Sequence, residues 1–265
     1  MKAHDNCLSE KTLHAMRVNH VLIILASIRV MLVSHRHKFI LFQDPLGACP
    51  WMERVLQPWL DQPVASKPDK SSALALSNGM SPTEAERAFD KMGLPFREYT
   101  RIAMIRNPYA KMAQLYYRIC VTDPVWRLRH HVGLELPEFG RWLRRTKTKG
   151  VGAGHPTSAS WRKYGAWSAE TWCSNQITHT VRVNHAVEDL KPIFAGIGLA
   201  PAFGHRECRE LGHLRLTRLY NAESSALIQD RYASDLRLYQ DDPVQLHPAA
   251  KRPVQQWQPS YQSVA

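Results

Sequence analysis

Tyr99-Thr100-Arg101-Ile102-Ala103-Met104-Ile105-Arg106-Asn107-Pro108-Tyr109 continues through Ala110-Lys111 to Gln114, Tyr116 and Tyr117. The short apolar run Ile102–Ile105 reads as a buried strand. It stops at Arg106-Asn107-Pro108-Tyr109, and a helix-like segment carrying Lys111, Gln114 and Tyr116 follows. The unit is therefore strand–turn–helix, with an arginine at the carboxyl end of the strand. Open α/β sheets bind ligands at that edge. A guanidinium offers a fixed fork of donors to a phosphate, and the N-terminus of the next helix favours the same anion. The same spacing also suits an ordinary βα turn with a surface arginine, and both readings stay open on the residues alone.

Outward from this unit, strands and helices alternate. Lys38–Phe42 reads as a second buried strand, short, apolar and aromatic. A loop over Gln43–Pro50 follows, then a helix over Trp51–Leu60 that Pro58 kinks or ends. The stretch from Gln62 to Ser72 is rich in Pro, Ser and Lys and reads as loop. Ser81-Pro82-Thr83-Glu84 starts a helix with a capping box, and Gly93 can close it. Helices are expected near Leu136–Leu143, over Glu188–Ile197 with Pro192 near its first turn, and from Asn221 to about Leu238. Val181–Val183 looks like a further short strand. This alternation predicts an α/β fold with a parallel sheet covered on both faces, Lys38–Phe42 and Ile102–Ile105 being central strands.

The chain has 265 residues, enough for one large α/β domain, and a formal net charge of +12. Such a balance suits an anionic cofactor or substrate. Arg127, Arg129, Arg141, Arg144, Arg145, Lys147 and Lys149 crowd one region. They read either as a solvated face or as a patch that draws in an anion. Trp126, Trp142 and Trp161 could stack on bases, but no recognisable nucleic-acid module is present, so a nucleic-acid partner is not expected. The five cysteines, Cys7, Cys49, Cys120, Cys173 and Cys208, are odd in number and widely spaced. They outline no zinc or disulfide framework, which points to a reducing, cytoplasmic compartment and no metal. Val21–Val33 is apolar but interrupted by Arg29, and is short of the roughly 20 residues of a membrane span. It reads as an added helix or strand, or as a weak anchor. A membrane partner is not expected.

Arg106-Asn107-Pro108-Tyr109, the basic Lys111 and the aromatic Tyr116 together resemble the 3′-phosphate-binding motif of the sulfotransferase family. The resemblance covers roughly Met31 to Tyr239 and is strengthened by Glu188, Asp189, Tyr220, Arg231, Tyr232 and Asp235. It implies a three-layer, P-loop-like parallel sheet flanked by helices over residues 31–240. Residues 1–30 are then an extension, and 241–265 a disordered tail. It also implies a sulfo donor, 3′-phosphoadenosine 5′-phosphosulfate, and a hydroxyl-bearing acceptor. In that setting Arg106 grips the 3′-phosphate, Lys111 is the second basic position, and Gln114 stands where the family has a serine. The loop residues Gly47, Ala48, Cys49, Pro50 and Trp51 face the phosphosulfate. The departures are specific. Leu46 stands at the position of the loop lysine, Pro50 and Trp51 at the hydroxyl positions, and Gly79 where a histidine base is often found. His155 is a candidate substitute base. The catalytic residues therefore stay unassigned. An active sulfotransferase and a catalytically degenerate member that binds a nucleotide or a protein both remain open.

Overall fold

Side chains that alternate across a strand must be buried twice when both faces of the sheet are covered. β2 (Phe39–Phe42) and β3 (Thr100–Ile105) satisfy this demand, with all of Phe39, Ile40, Leu41 and Phe42 and most of β3 buried. The computed structural model describes residues 31–46, 50–61, 80–131, 138–146, 164–203 and 219–239. Within these, one sheet runs in the order β1-β2-β3-β4, where β1 is Met31–Ser34 and β4 is His179–Arg182. β2, β3 and β4 are mutually parallel, with Leu41 opposite Ile102 and Met104 opposite Val181. The fold is α/β, and β2 and β3 are the central strands, as the apolar runs predicted.

The sheet is not wholly parallel. β1 pairs antiparallel with β2, Leu32 lying opposite Leu41. The cause is the short connection His35–Lys38, which can close only a hairpin. Lys38 adopts a left-handed backbone (φ 51°) to make that turn, so the expected strand over Lys38–Phe42 begins one residue later. Met31–Val33, the end of the apolar stretch Val21–Val33, lies in β1, and residues 21–30 lie outside the described residues.

Helices cover both faces. On one, Ile40, Phe42, Ala103 and Ile105 pack against Ala85 and Phe89 of α2 (Pro82–Lys91), and against Trp172. On the other, Phe39, Leu41, Ile102, Met104 and Val181 meet two helices. These are α1 (Pro50–Leu56), through Met52 and Leu56, and a helix over Ala186–Gly196 through Leu190 and Phe194. The capping box of α2 forms as expected: the Ser81 hydroxyl accepts from the Glu84 amide, and the Glu84 carboxylate accepts from the Ser81 amide at 3.0 Å. Gly93 ends it at φ +67°, a conformation in which a side chain would be strained.

α3 (Pro108–Thr122) leaves the sheet and builds a third cluster, in which Leu46, Tyr109, Met112 and Tyr116 meet Phe139, Tyr220, Ile228 and Tyr232. α4 (Pro124–His131), α5 (Phe139–Arg145) and α6 (Ala169–Cys173) follow, then α7, the Ala186–Gly196 helix. Pro192 lies inside α7 rather than in its first turn, because the helix starts earlier than expected. The predicted last helix is two pieces, α8 (Ala222–Arg231), capped by Asn221, and α9 (Ala233–Arg237), parted at Tyr232. The predicted helix over Trp51–Leu60 likewise stops at Leu56, and one 3-10 turn, Gln57–Trp59, accommodates Pro58. No helix among the described residues is long and apolar enough to cross a membrane. The 1–30 extension, the 241–265 tail, Gly79, Lys147, Lys149, His155 and Trp161 lie outside the described residues.

Candidate functional site

The carboxyl ends of β2 and β3 lie side by side, and each chain leaves its strand on a charged residue. Beyond β2, Asp44 is 2 % exposed; beyond β3, Arg106 is 6 % exposed. Arg106 Nε stands 3.6 Å from Asp44 Oδ1. That is an ion pair, yet too long for a hydrogen bond, and this buried Nε has no hydrogen-bond partner. Asp44 Oδ1 instead accepts from the Leu46 amide at 2.8 Å, which shapes the start of the loop toward α1. Asn107 caps α3, its side-chain oxygen accepting from the Tyr109 amide at 3.0 Å. The first turn of α3 thus begins at Pro108, just past Arg106, with its amide dipoles aimed toward the same edge.

A second guanidinium reaches this place from farther along α3. Arg118 Nη1 donates to the Leu46 carbonyl. Burial pushes the Arg118 pKa down, the Asp44 charge pulls it back, and the Arg106 charge lowers it further. The Asp44 charge therefore acts on both guanidinium groups. Gln114, one helical turn before Arg118, has a buried side-chain oxygen without a hydrogen-bond partner.

The other expected positions divide. Arg106 and Gln114 belong to one strand–helix unit, as expected. Arg106 meets the residues just before the loop, through Asp44. Gly47, Ala48 and Cys49 lie outside the described residues; Pro50 opens α1. Trp51 packs into the apolar layer, 5.9 Å from the Phe203 ring. Lys111, second basic position of the resembled motif, does not reach this edge. It is 4 % exposed and its Nζ donates to the Trp167 carbonyl at 2.5 Å. Its charge steadies Asp235, whose two oxygens lie 2.9 Å from the Ala169 amide and cap α6. Lys111 is therefore an ion of the core. Leu46 is fully buried against α3. Of the basic cluster, Arg144 pairs with Glu223 at 2.5 Å, and Arg231, from α8, donates to the Leu143, Arg144 and Thr146 carbonyls at the end of α5.

Asp44 and Arg118 were not singled out by the sequence. The signal for Asp44 is a carboxylate two residues past a strand. Arg118 carries none until the helix is built, since its partner Leu46 is 72 residues away.

Two open depressions, about 370 and 210 Å³, lie along β4 rather than at Arg106. The larger is lined by Arg182 and Asp189, which already satisfy each other at 2.8 and 3.0 Å. Neither of these two depressions is lined by Arg106 or Asp44. Charge is the better guide, because a buried guanidinium with an unmet donor has a cost that an open depression lacks. Among the described residues no group of His, Cys, Asp and Glu could hold a metal ion. Comparison with known proteins returns no matching family model, no matching curated protein and no matching solved structure.

Proposed function

We propose that this chain is a sulfotransferase-like protein that holds 3′-phosphoadenosine 5′-phosphosulfate at the carboxyl edge of β2 and β3, and presents its sulfo group to a hydroxyl acceptor. The reading takes the helices on both faces of the sheet as a three-layer, P-loop-like architecture. The observation that carries it is Arg106, buried at the strand end with an Nε that has no hydrogen-bond partner. An anionic oxygen would supply that partner and balance the charge. In this reading Arg106 holds the 3′-phosphate, aided by the α3 N-terminus. Gln114 offers its amide, and the loop from Gly47 to Trp51 meets the phosphosulfate through backbone amides. An in-line attack forms the acceptor oxygen–sulfur bond as the bridging oxygen–sulfur bond breaks. Adenosine 3′,5′-bisphosphate leaves, and the hydroxyl proton passes to a base not yet assigned.

A second reading has its own support. Leu46 is fully buried, and Lys111 is tied to Trp167. These are two positions from which the resembled family neutralises its donor. A descendant that binds the nucleotide without transferring the sulfo group fits that arrangement.

Titration with adenosine 3′,5′-bisphosphate tests both. Binding is expected, and Arg106→Ala should weaken it by about 1.5–3 kcal/mol. Absence of binding refutes both readings. With binding in hand, a labelled phosphosulfate donor and a broad panel of hydroxyl acceptors separate them: turnover supports the enzyme, and its absence the binding protein.

A further inference from the structure

Arg106 and Asp44 leave a hydrogen-bond pattern open between them. Both are more than nine-tenths buried, at 6 % and 2 % exposed. Arg106 Nε carries a proton and has no hydrogen-bond partner. It stands 3.6 Å from Asp44 Oδ1, too far for the two to bond directly. A carboxylate offers about four acceptor directions, and the Leu46 amide takes one of them, at 2.8 Å. A group that bridges the pair must therefore accept from Arg106 and donate to Asp44. A fully ionised anion does only the first, and its charge is set against the carboxylate. A phosphate monoester that keeps its last proton does both, accepting on P–O⁻ and donating from P–OH. Its second pKa is about 6, so this form is at hand near neutral pH. Sulfo groups, phosphodiesters and carboxylates carry no such proton there. The α3 N-terminus brings the positive end of its dipole to the same place.

We infer that Asp44 sets the specificity of this site, and that the Asp44–Arg106 pair selects a monoprotonated phosphate monoester over oxyanions that carry no proton. The inference rests on the nucleotide reading above and deepens it, because it orients the donor. The 3′-phosphate, a monoester, is admitted at Arg106, and the sulfo end is turned away. Selection works by repulsion as much as by attraction. Asp44 is faced by Arg106 from the end of β3, and the charge of Arg118, on α3, also acts on it. Lys111, on the same helix, is turned to the Trp167 carbonyl. Guanidinium groups stay charged near neutral pH, so the pH response of binding follows the proton of the ligand.

The experiment titrates the full chain with adenosine 3′-monophosphate at several pH values on both sides of the monoester's second pKa, about 6. Adenosine 2′,3′-cyclic monophosphate, a diester without a second proton, is the control, and inorganic sulfate is the competitor. Wild type should bind the monoester roughly 10-fold more tightly than the cyclic diester at the acid end. Its affinity for the monoester should fall as pH rises, approaching tenfold per unit above a pKa of about 6. A purely cationic site does the reverse, gaining affinity as the dianion forms. Asp44→Asn should turn the slope to that opposite sign and bind sulfate roughly 10-fold better than wild type. The wild-type profile needs no variant, so it decides even if Asp44→Asn does not fold. Monoester affinity that rises with pH in wild type would overturn the inference. So would a decline shared equally by the cyclic diester, which would trace to the falling charge of the protein, or an Asp44→Asn profile that keeps the wild-type slope. A wild-type chain that binds neither adenosine 3′-monophosphate nor adenosine 3′,5′-bisphosphate refutes the nucleotide reading and this inference with it, whereas binding with the wrong pH dependence refutes this inference alone.

Discussion

Replacing Asp44 by alanine removes a carboxylate that pairs with Arg106 and whose charge acts on Arg118. Breaking a buried ion pair from one side costs roughly 3–5 kcal/mol, because the remaining charge stays buried. The 3.6 Å separation from Arg106 puts the direct term at the low end, but Arg118 loses the favourable Asp44 charge as well. The Leu46 amide also loses its 2.8 Å acceptor, and a buried donor without a partner costs about 1–3 kcal/mol. These losses overlap, so about 4 kcal/mol is expected for Asp44→Ala. Asp44→Asn keeps an acceptor for Leu46 and should cost about 1–2 kcal/mol less, in line with a retained hydrogen bond. Urea unfolding at neutral pH, followed by circular dichroism, reads both variants against wild type. Added inorganic phosphate should then stabilise Asp44→Ala more than wild type, since it supplies the missing negative charge. An Asp44→Ala midpoint within about 1 kcal/mol of wild type, at unchanged slope, would refute the shared-carboxylate account. Equal losses for the two variants would refute the role given to the Leu46 amide.

Leu46→Lys puts an ammonium into a fully buried apolar position, and should destabilise the protein by about 3 kcal/mol or more rather than restore a loop cation; a variant as stable as wild type in thermal unfolding would contradict that packing. Burial tends to raise the Asp189 carboxyl, but the Arg182 hydrogen bonds and charge outweigh it and hold the pKa below the ordinary 3.8. The stabilisation is therefore present above that value and lost as pH falls through the lowered one, so Asp189→Asn should flatten the acid limb of a stability-versus-pH curve. Asp235, raised by burial against Lys111 and the Ala169 amide, has the opposite sign, and its contribution fades as pH rises through its shifted value. Burial pushes the Cys120 and Cys173 thiols up to about 12, so peptide mapping after native alkylation near neutral pH should find both unmodified, and modification within minutes would argue against their burial.

What could be read in advance divides along physical lines. The central strands were legible because Phe39–Phe42 and Ile102–Ile105 are apolar on both faces and are each followed by helix signals. The α2 start was legible because Ser81, Pro82 and Glu84 are a local device that needs no tertiary partner. β1 was less so: a four-residue strand at the end of an apolar run has no period of its own, and only its pairing with β2 defines it. The break at Tyr232 between α8 and α9 is tertiary as well, since its hydroxyl donates to the Ala166 carbonyl at 2.6 Å. Arg106 could be named because its position follows from a strand end and a proline-started helix. The surroundings of Lys111 were not legible for the converse reason: its helical position is as expected, but its partners, Trp167 and Asp235, lie far along the chain. Asp44 and Arg118 become visible only once two strands and a long helix are assembled.

Three tyrosines near the end of the described chain donate to carbonyls laid down much earlier: Tyr220 to Tyr109 at 2.7 Å, Tyr232 to Ala166, and Tyr239 to Ile105, the last residue of β3. During synthesis the strand that leads into Arg106 emerges long before the group that fastens its final carbonyl. Between those moments the terminal peptide of β3 must rely on solvent for that contact. The carboxyl edge of β3 therefore matures last, when about nine-tenths of the chain has been made. A nascent chain stalled before Tyr220 could assemble the sheet and still lack all three fastenings, so completion of this strand edge is timed by the C-terminal segment rather than by the strands themselves.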